Sequence, residues 1–367
     1  MEIEEAVRRM GLADTYRDRH WSKAVKVTDQ VVQKAEPPWL EALLEALLRV
    51  ESPTYPMRYG FPVALRRLAA APGGADRVRS VRRLAAAGLA WGDVRYDLRE
   101  VAWWLASGQP AEHLLAALAT ADPADELAAC LLQETALRHD ASAAADFAER
   151  LRAAGHPLAG LPLRAAPAER DHRLPRHPGT ARPVWSRPGA DAPPADGPAD
   201  PGVTAVELDW PDARRALSAH RAWVSDDGDG TEARLFRLDG TLAPGDFGGS
   251  VLRVLGLESA GGAFAETRRV TTPDVLWTLF GGAASGSAYG PGLCGAYGRL
   301  ASWESLAALA GLEPDDQAAV ERAADQCAWV FYTSDWHLQV HPSMDVGIAA
   351  LRPDGRTVAV VAATDSD

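Results

Sequence analysis

Two short segments carry most of the side chains that could do chemistry. The first is Ser334-Asp335-Trp336-His337-Leu338-Gln339-Val340-His341-Pro342-Ser343-Met344-Asp345, with two imidazoles and two carboxylates. Imidazole and carboxylate together suit zinc, iron or manganese, and a histidine beside an aspartate suits proton transfer. On a strand, positions 335, 337, 339 and 341 share one face; on a helix, 337 and 341 do. The segment reads as strand or loop, ended by Pro342. Asp335, His337 and His341 are the metal-ligating candidates, yet no further ligand follows at a fixed spacing. The expectation is therefore that they hold no metal, and no cofactor is expected.

The second segment is Gly281-Gly282-Ala283-Ala284-Ser285-Gly286-Ser287-Ala288-Tyr289-Gly290-Pro291-Gly292-Leu293-Cys294-Gly295-Ala296-Tyr297-Gly298. Glycine lets backbone approach a ligand closely, and bare amides in such a loop can hold phosphate or an oxyanion. The run lacks the GxxxxGK[ST] phosphate loop, the GxSxG nucleophile elbow and the strand-loop-helix setting of a dinucleotide fingerprint. Two readings stay open: a packing turn between helices, or a loop that meets a ligand or partner through Ser285, Ser287, Tyr289 and Tyr297. Cys294 sits inside the run. As a nucleophile it would need a base, for which His337 is the histidine of suitable sequence character, with Asp335 as that ring's companion. These three are the catalytic candidates.

Other clusters read as structural. Asp226, Asp227 and Asp229 lack the glycine and glutamate offsets of a calcium loop and fit a hairpin turn. Cys130, Cys294 and Cys327 are too scattered for a zinc knuckle or a disulfide framework. His172 and His177 fall in a proline-rich stretch with no preformed site.

These segments need a scaffold, and the chain supplies two kinds. Residues 1–155 read as helical: Leu40, Leu43, Leu44, Leu47 and Leu48 line one face at the helical period, behind Pro38. Similar patterns recur to Ala153, broken at Ala71-Pro72-Gly73-Gly74, Ser107-Gly108-Gln109-Pro110 and Ala121-Asp122-Pro123. That predicts an all-α bundle or a short α-solenoid. Trp103 and Trp104 cannot both face one core from a single stripe, so one is expected to mark a contact. Residues 156–202 hold eleven prolines and few large apolar side chains, which predicts an extended linker. Its first half is basic, from Arg164 to Arg187.

Residues 203–367 mix periods. Strands are expected at Val203–Leu208, Ala222–Val224, Ala233–Leu238, Cys327–Tyr332, Val346–Leu351 and Thr357–Ala362, the last two joined by Arg352-Pro353-Asp354-Gly355-Arg356. Helices are expected after Asp274, around Leu300–Leu309 and after Glu313-Pro314-Asp315-Asp316. The architecture is thus a multidomain chain: a helical domain, a linker, and an α+β domain with a mainly antiparallel sheet.

Composition excludes several classes. With 47% hydrophobic and 24% charged residues, the chain can build a core. A net charge of −12 gives no general pull on nucleic acid or anionic membrane. No apolar run long enough for a membrane helix and no signal-peptide core occurs, so a cytoplasmic protein is expected. Only three of the 38 basic residues are lysine.

The string Cys294–Gly311, the triplet Ser334-Asp335-Trp336 and the ending from Gly347 through Asp365 resemble an uncharacterised actinobacterial family, over about residues 240–367. That resemblance implies no activity. With no strong catalytic motif, the leading expectation is an interaction or regulatory protein whose partner is another protein or a small polar ligand. The alternative is an enzyme with a pocket between residues 281–298 and 335–345.

Overall fold

The computed structural model describes residues 1–12, 21–32, 35–91, 94, 96–170, 191–223, 230–287, 292–337 and 345–365. The chain divides into two compact units, Met1–Ala159 and Gly160–Asp367. Of the stretch expected as a linker, residues 160–170 and 191–202 count with the second unit, and 171–190 lie outside the described residues.

The first unit is the expected helical bundle. Its helices are α1 (Ile3–Leu12), α2 (Trp21–Val32), α3 (Pro37–Leu48), α4 (Tyr55–Ala70), α5 (Ala75–Ala90), α6 (Leu98–Gly108), α7 (Ala111–Leu118), α8 (Glu126–Arg138) and α9 (Ala145–Ala153). Leu40, Leu43, Leu44 and Leu47 are buried on one face of α3, as their spacing requires. The helix α6 departs from expectation, because Val101 through Ala106 are buried all round, both tryptophans included. It packs against α4 and α8, so it has no solvent face and Trp103 and Trp104 need no outside contact. Arg138 lies over the Trp103 ring at 4.8 Å and Arg66 over Trp104 at 6.0 Å. Asp97 starts α6 with a capping box completed by Glu100.

The second unit is the expected α+β fold. Its sheet is antiparallel throughout, with strands β1 (Ala205–Leu208), β2 (Thr231–Leu238), β3 (Phe264–Val270), β4 (Ala328–Ser334), β5 (Asp345–Leu351) and β6 (Thr357–Thr364). Their spatial order is β1-β2-β6-β5-β4-β3. The β5–β6 hairpin forms where its turn signal stands, with Gly355 at φ +64. Strand β3 carries no clean alternation and is absent from the sequence expectations. Of the strand expected at Ala222–Val224, Ala222 and Trp223 belong instead to a 3-10 turn over Ser218–Trp223, and Val224 lies outside the described residues.

The helices of this unit are α10 (Pro167–Arg170), α11 (Ala213–Ala216), α12 (Gly249–Val254), α13 (Thr272–Ser285), α14 (Cys294–Ala310) and α15 (Gln317–Ala324). Strands β5 and β6 are buried at every position, so both faces of the sheet are covered. On one face Phe236, Tyr332, Val358 and Val360 form a core with Val251, Leu252 and Leu257. The intervening β6 residues point to the other face, against α14 and residues 218–223. There Trp329 donates its indole N–H to the Ala324 carbonyl at 2.8 Å, and Arg352 donates to the Leu309 and Ala308 carbonyls, fixing the ends of α15 and α14.

Candidate functional site

The glycine-rich run is largely helix. Gly281 through Ser285 are the last residues of α13, Gly286 closes it at φ +75, and α14 begins at Cys294. The glycines serve close packing between these helices. A Cβ on Gly298 would lie 3.2 Å from the Ala284 Cα, and one on Gly292 only 2.0 Å from the Ala284 carbonyl oxygen. Glycine's missing side chain thus sets the helix–helix distance. Ser287 is buried, while Ser285, Cys294 and Tyr297 are half-buried. Cys294 takes φ +54, the left-handed region that disfavours a residue with a Cβ. Tyr289 lies outside the described residues.

The turn after β4 is built differently. Asp335 is exposed; its carboxylate accepts from the Ala263 amide at 3.0 Å and its own amide donates to the Ala263 carbonyl at 3.1 Å. His337 is buried, its Nδ1 accepts from the Ser334 amide at 3.1 Å, and its ring stands edge-on to Tyr332 and Trp336. A neutral ring whose Nδ1 accepts carries its proton on Nε2. The Asp335 carboxylate is thus committed to a loop amide, and His337 is turned into the core. His341 lies outside the described residues. Among the described residues no group of three or more His, Cys, Asp or Glu side chains is placed to hold a metal.

Around His337 the sheet end gathers further polar groups. The Ser259 and Tyr332 hydroxyls lie 2.6 Å apart, and the Ser334 hydroxyl donates to the Ser259 carbonyl at 2.6 Å. Glu232 accepts from the Glu258 and Ser259 amides at 3.1 and 2.9 Å. Thr364 donates to the buried Asp345 at 2.7 Å across the first β5–β6 pair. Burial pushes the Tyr332 hydroxyl pKa up, so the phenolate is disfavoured. Neither hydroxyl of the Ser259–Tyr332 pair has a histidine or carboxylate as hydrogen-bond partner among the described residues. These hydroxyls tie a turn to the sheet.

The described parts of the two segments named by sequence pack in different places. Tyr332 and Trp336 pack with the core that holds residues 251–260, whereas α14 lies against β6 on the other face of the sheet and α13 packs on α14. Burial disfavours the thiolate of the remaining cysteines, pushing Cys327 up to about 12 and raising Cys130.

Sequence reasoning missed two buried groups. Arg299 on α14 is fully buried and donates to Glu169 at 2.6 and 2.8 Å, to the Pro162 carbonyl at 2.8 Å and to the Arg164 carbonyl at 2.9 Å. Glu169 also accepts from the Trp303 indole at 2.9 Å and the Ala166 amide at 2.6 Å. Burial alone would raise the Glu169 carboxyl, but the charge and hydrogen bonds of Arg299 hold it below the usual carboxylate range. The signal was an arginine four residues before a tryptophan in a helix whose one other charged residue is Glu304. The second group is His220, fully buried, with neither ring nitrogen hydrogen-bonded among the described residues. It stands edge-on to Trp223 at 4.8 Å, and a Cβ on Gly282 would lie 2.9 Å from its Nε2. Burial lowers its pKa to about 4.

With this geometry in hand, the comparison with protein families is direct. The chain belongs to DUF6183, a family of unknown function. The match runs over residues 22–367, so it takes in the helical unit as well as the C-terminal strings from which a resemblance over 240–367 was read. No curated protein and no solved structure matches the chain. The family adds no residue role.

Proposed function

We propose that this chain is a cytoplasmic interaction or regulatory protein of actinobacterial origin. One observation carries the reading. The polar side chains at the end of the sheet are engaged with one another and with backbone, and Gly292 and Gly298 of the run expected to frame a ligand loop serve the α13–α14 contact. A site built for turnover leaves a base or nucleophile facing a cavity; here Ser259, Tyr332, Ser334 and Asp335 fasten loops. Three free cysteines accord with a reducing compartment, and among the described residues no helix is long and apolar enough to cross a membrane.

The test has two arms on the purified full-length chain. Cross-linking in a native extract, followed by reconstitution from purified components, should yield a stoichiometric protein partner. Incubation with a metabolite extract, followed over time by mass spectrometry, should show no conversion. A conversion that disappears in His337→Ala or Tyr332→Phe while the fold is retained would overturn the reading in favour of an enzyme.

A further inference from the structure

Residues 160–170 join the second unit as a strap laid on its helices. Side chains of two helices hold it. From α14, Arg299 donates to the Pro162 and Arg164 carbonyls and to Glu169, and the Trp303 indole donates to Glu169. From α15, Glu321 accepts from the Ala168 amide at 2.7 Å and Gln317 donates to the Gly160 carbonyl at 3.4 Å. None of these bonds belongs to the ladder of the sheet or to the turns of α14 and α15. Leu161 and Ala168 are buried, yet neither is part of the core that Val251, Tyr332 and Val360 build on the sheet.

The tip of the strap is shaped by its own bonds. The Ala166 amide donates to the Glu169 carboxylate at 2.6 Å, and the Glu169 amide donates to the Ala166 carbonyl at 3.0 Å. Arg170 donates to the Ala165 carbonyl at 3.0 Å, and Pro162 and Pro167 fix the backbone further. A piece built this way can leave its seat as a body.

What the strap loses on leaving decides how readily it opens. A segment seated on apolar side chains loses their burial, and water gives nothing back. Here the main hold is a charge pair. On opening, the Arg299 guanidinium and the Glu169 carboxylate both regain water, which offsets much of what the broken bonds supplied. Helix α14 and the sheet keep their backbone bonds. We infer that residues 160–170 open as one body while the rest of the second unit stays folded, with Arg299–Glu169 as the latch. Open, the strap becomes connecting chain, the role its prolines predict, and it bares Arg299 and Trp303. The latch therefore decides where along the chain the second unit begins. This goes beyond the interaction reading and stands whether or not that reading holds.

The test is native-state hydrogen exchange on the full-length chain, in urea below the unfolding transition. In the unmodified chain the Ala168 amide and the Trp303 indole N–H, both bonded at the strap, should exchange in one step. Corrected for intrinsic rates, they should run at least about a hundredfold faster than the Leu306 amide inside α14, with little dependence on urea. Glu169→Gln should speed both strap protons at least about tenfold, because the closed guanidinium then lacks its counter-charge. Val360→Ala weakens the core of the closed and open forms alike. It should speed the Leu306 amide at least about tenfold and leave the strap protons unchanged. Strap and α14 protons that exchange in one urea-dependent step would make the strap part of the cooperative core and overturn the inference. So would strap exchange that rises in Val360→Ala, or that is indifferent to Glu169→Gln.

Discussion

Arg299 and His220 are both fully buried in the second unit, and both belong to the layer of helices and turns around α13 and α14. Each nitrogen of the Arg299 guanidinium meets an acceptor, and its carboxylate partner collects four donors of its own. Among the described residues the His220 ring has no hydrogen-bond partner at either nitrogen, and burial favours its neutral form. A permanent charge can enter this interior only with its full set of partners; a titratable ring enters by giving up its proton. The Arg299–Glu169 pair ties residues 162–170 to α14, so it places chain. His220 packs against Gly282 and Trp223 and fills space.

The comparison breaks most visibly at Glu169. Glu169→Ala leaves a buried guanidinium without its counter-charge and should cost about 3–5 kcal/mol in denaturant unfolding. Replacing both partners, Glu169→Leu with Arg299→Met, should restore most of that loss, because the penalty lies in the orphaned charge. A single-variant cost under about 1 kcal/mol would show that water already reaches Arg299.

His220 should show itself through pH. Burial holds its folded pKa at about 4, below the ordinary 6.5. Between those values the unfolded chain binds more protons than the folded one, so stability is full above about pH 6.5 and falls as pH drops toward 4. The change is on the order of 3 kcal/mol. His220→Leu should flatten that part of the profile and stay within about 1 kcal/mol of the parent at pH 7, since no hydrogen bond is lost. Urea unfolding at pH 7, 6 and 5 decides it; a variant profile as steep as the parent's would place the titrating group elsewhere.

The smallest effect belongs to the neutral pair at the sheet end. Tyr332→Phe removes one hydroxyl from a 2.6 Å contact and leaves Ser259 buried, at a cost of about 1 kcal/mol. A cost above about 3 kcal/mol would rank this pair with the charged one and show it to be a keystone of the turn.

Much of the scaffold was legible in advance. The leucines of α3, the Pro-Asp-Gly turn before β6 and the acids before α15 are local signals, and each sits where its chemistry requires. Placement of the polar groups was not local. Glu169 lies in a proline-rich stretch that reads as linker, and its role appears only when α14 arrives some distance along the chain. The glycine run was legible in composition but not in use, since small residues suit a ligand loop and a tight helix contact equally. The double tryptophan of α6 misled because a single-stripe argument assumes a solvent face, which a central helix lacks.

Strand order has a consequence for how the chain is made. Strand β6 comes after the other five in the chain, yet it lies between β2 and β5 near the middle of the sheet. Synthesis runs from the N-terminus, so on the ribosome β2 must wait, paired on one side with β1 and bare on the other. The nascent second unit cannot close its core until Thr357–Thr364 has left the exit tunnel. Its folding therefore waits on the emergence of β6, whereas the helical unit emerges earlier, and a stall before Thr357 would leave an unpaired β2 for chaperones to shield.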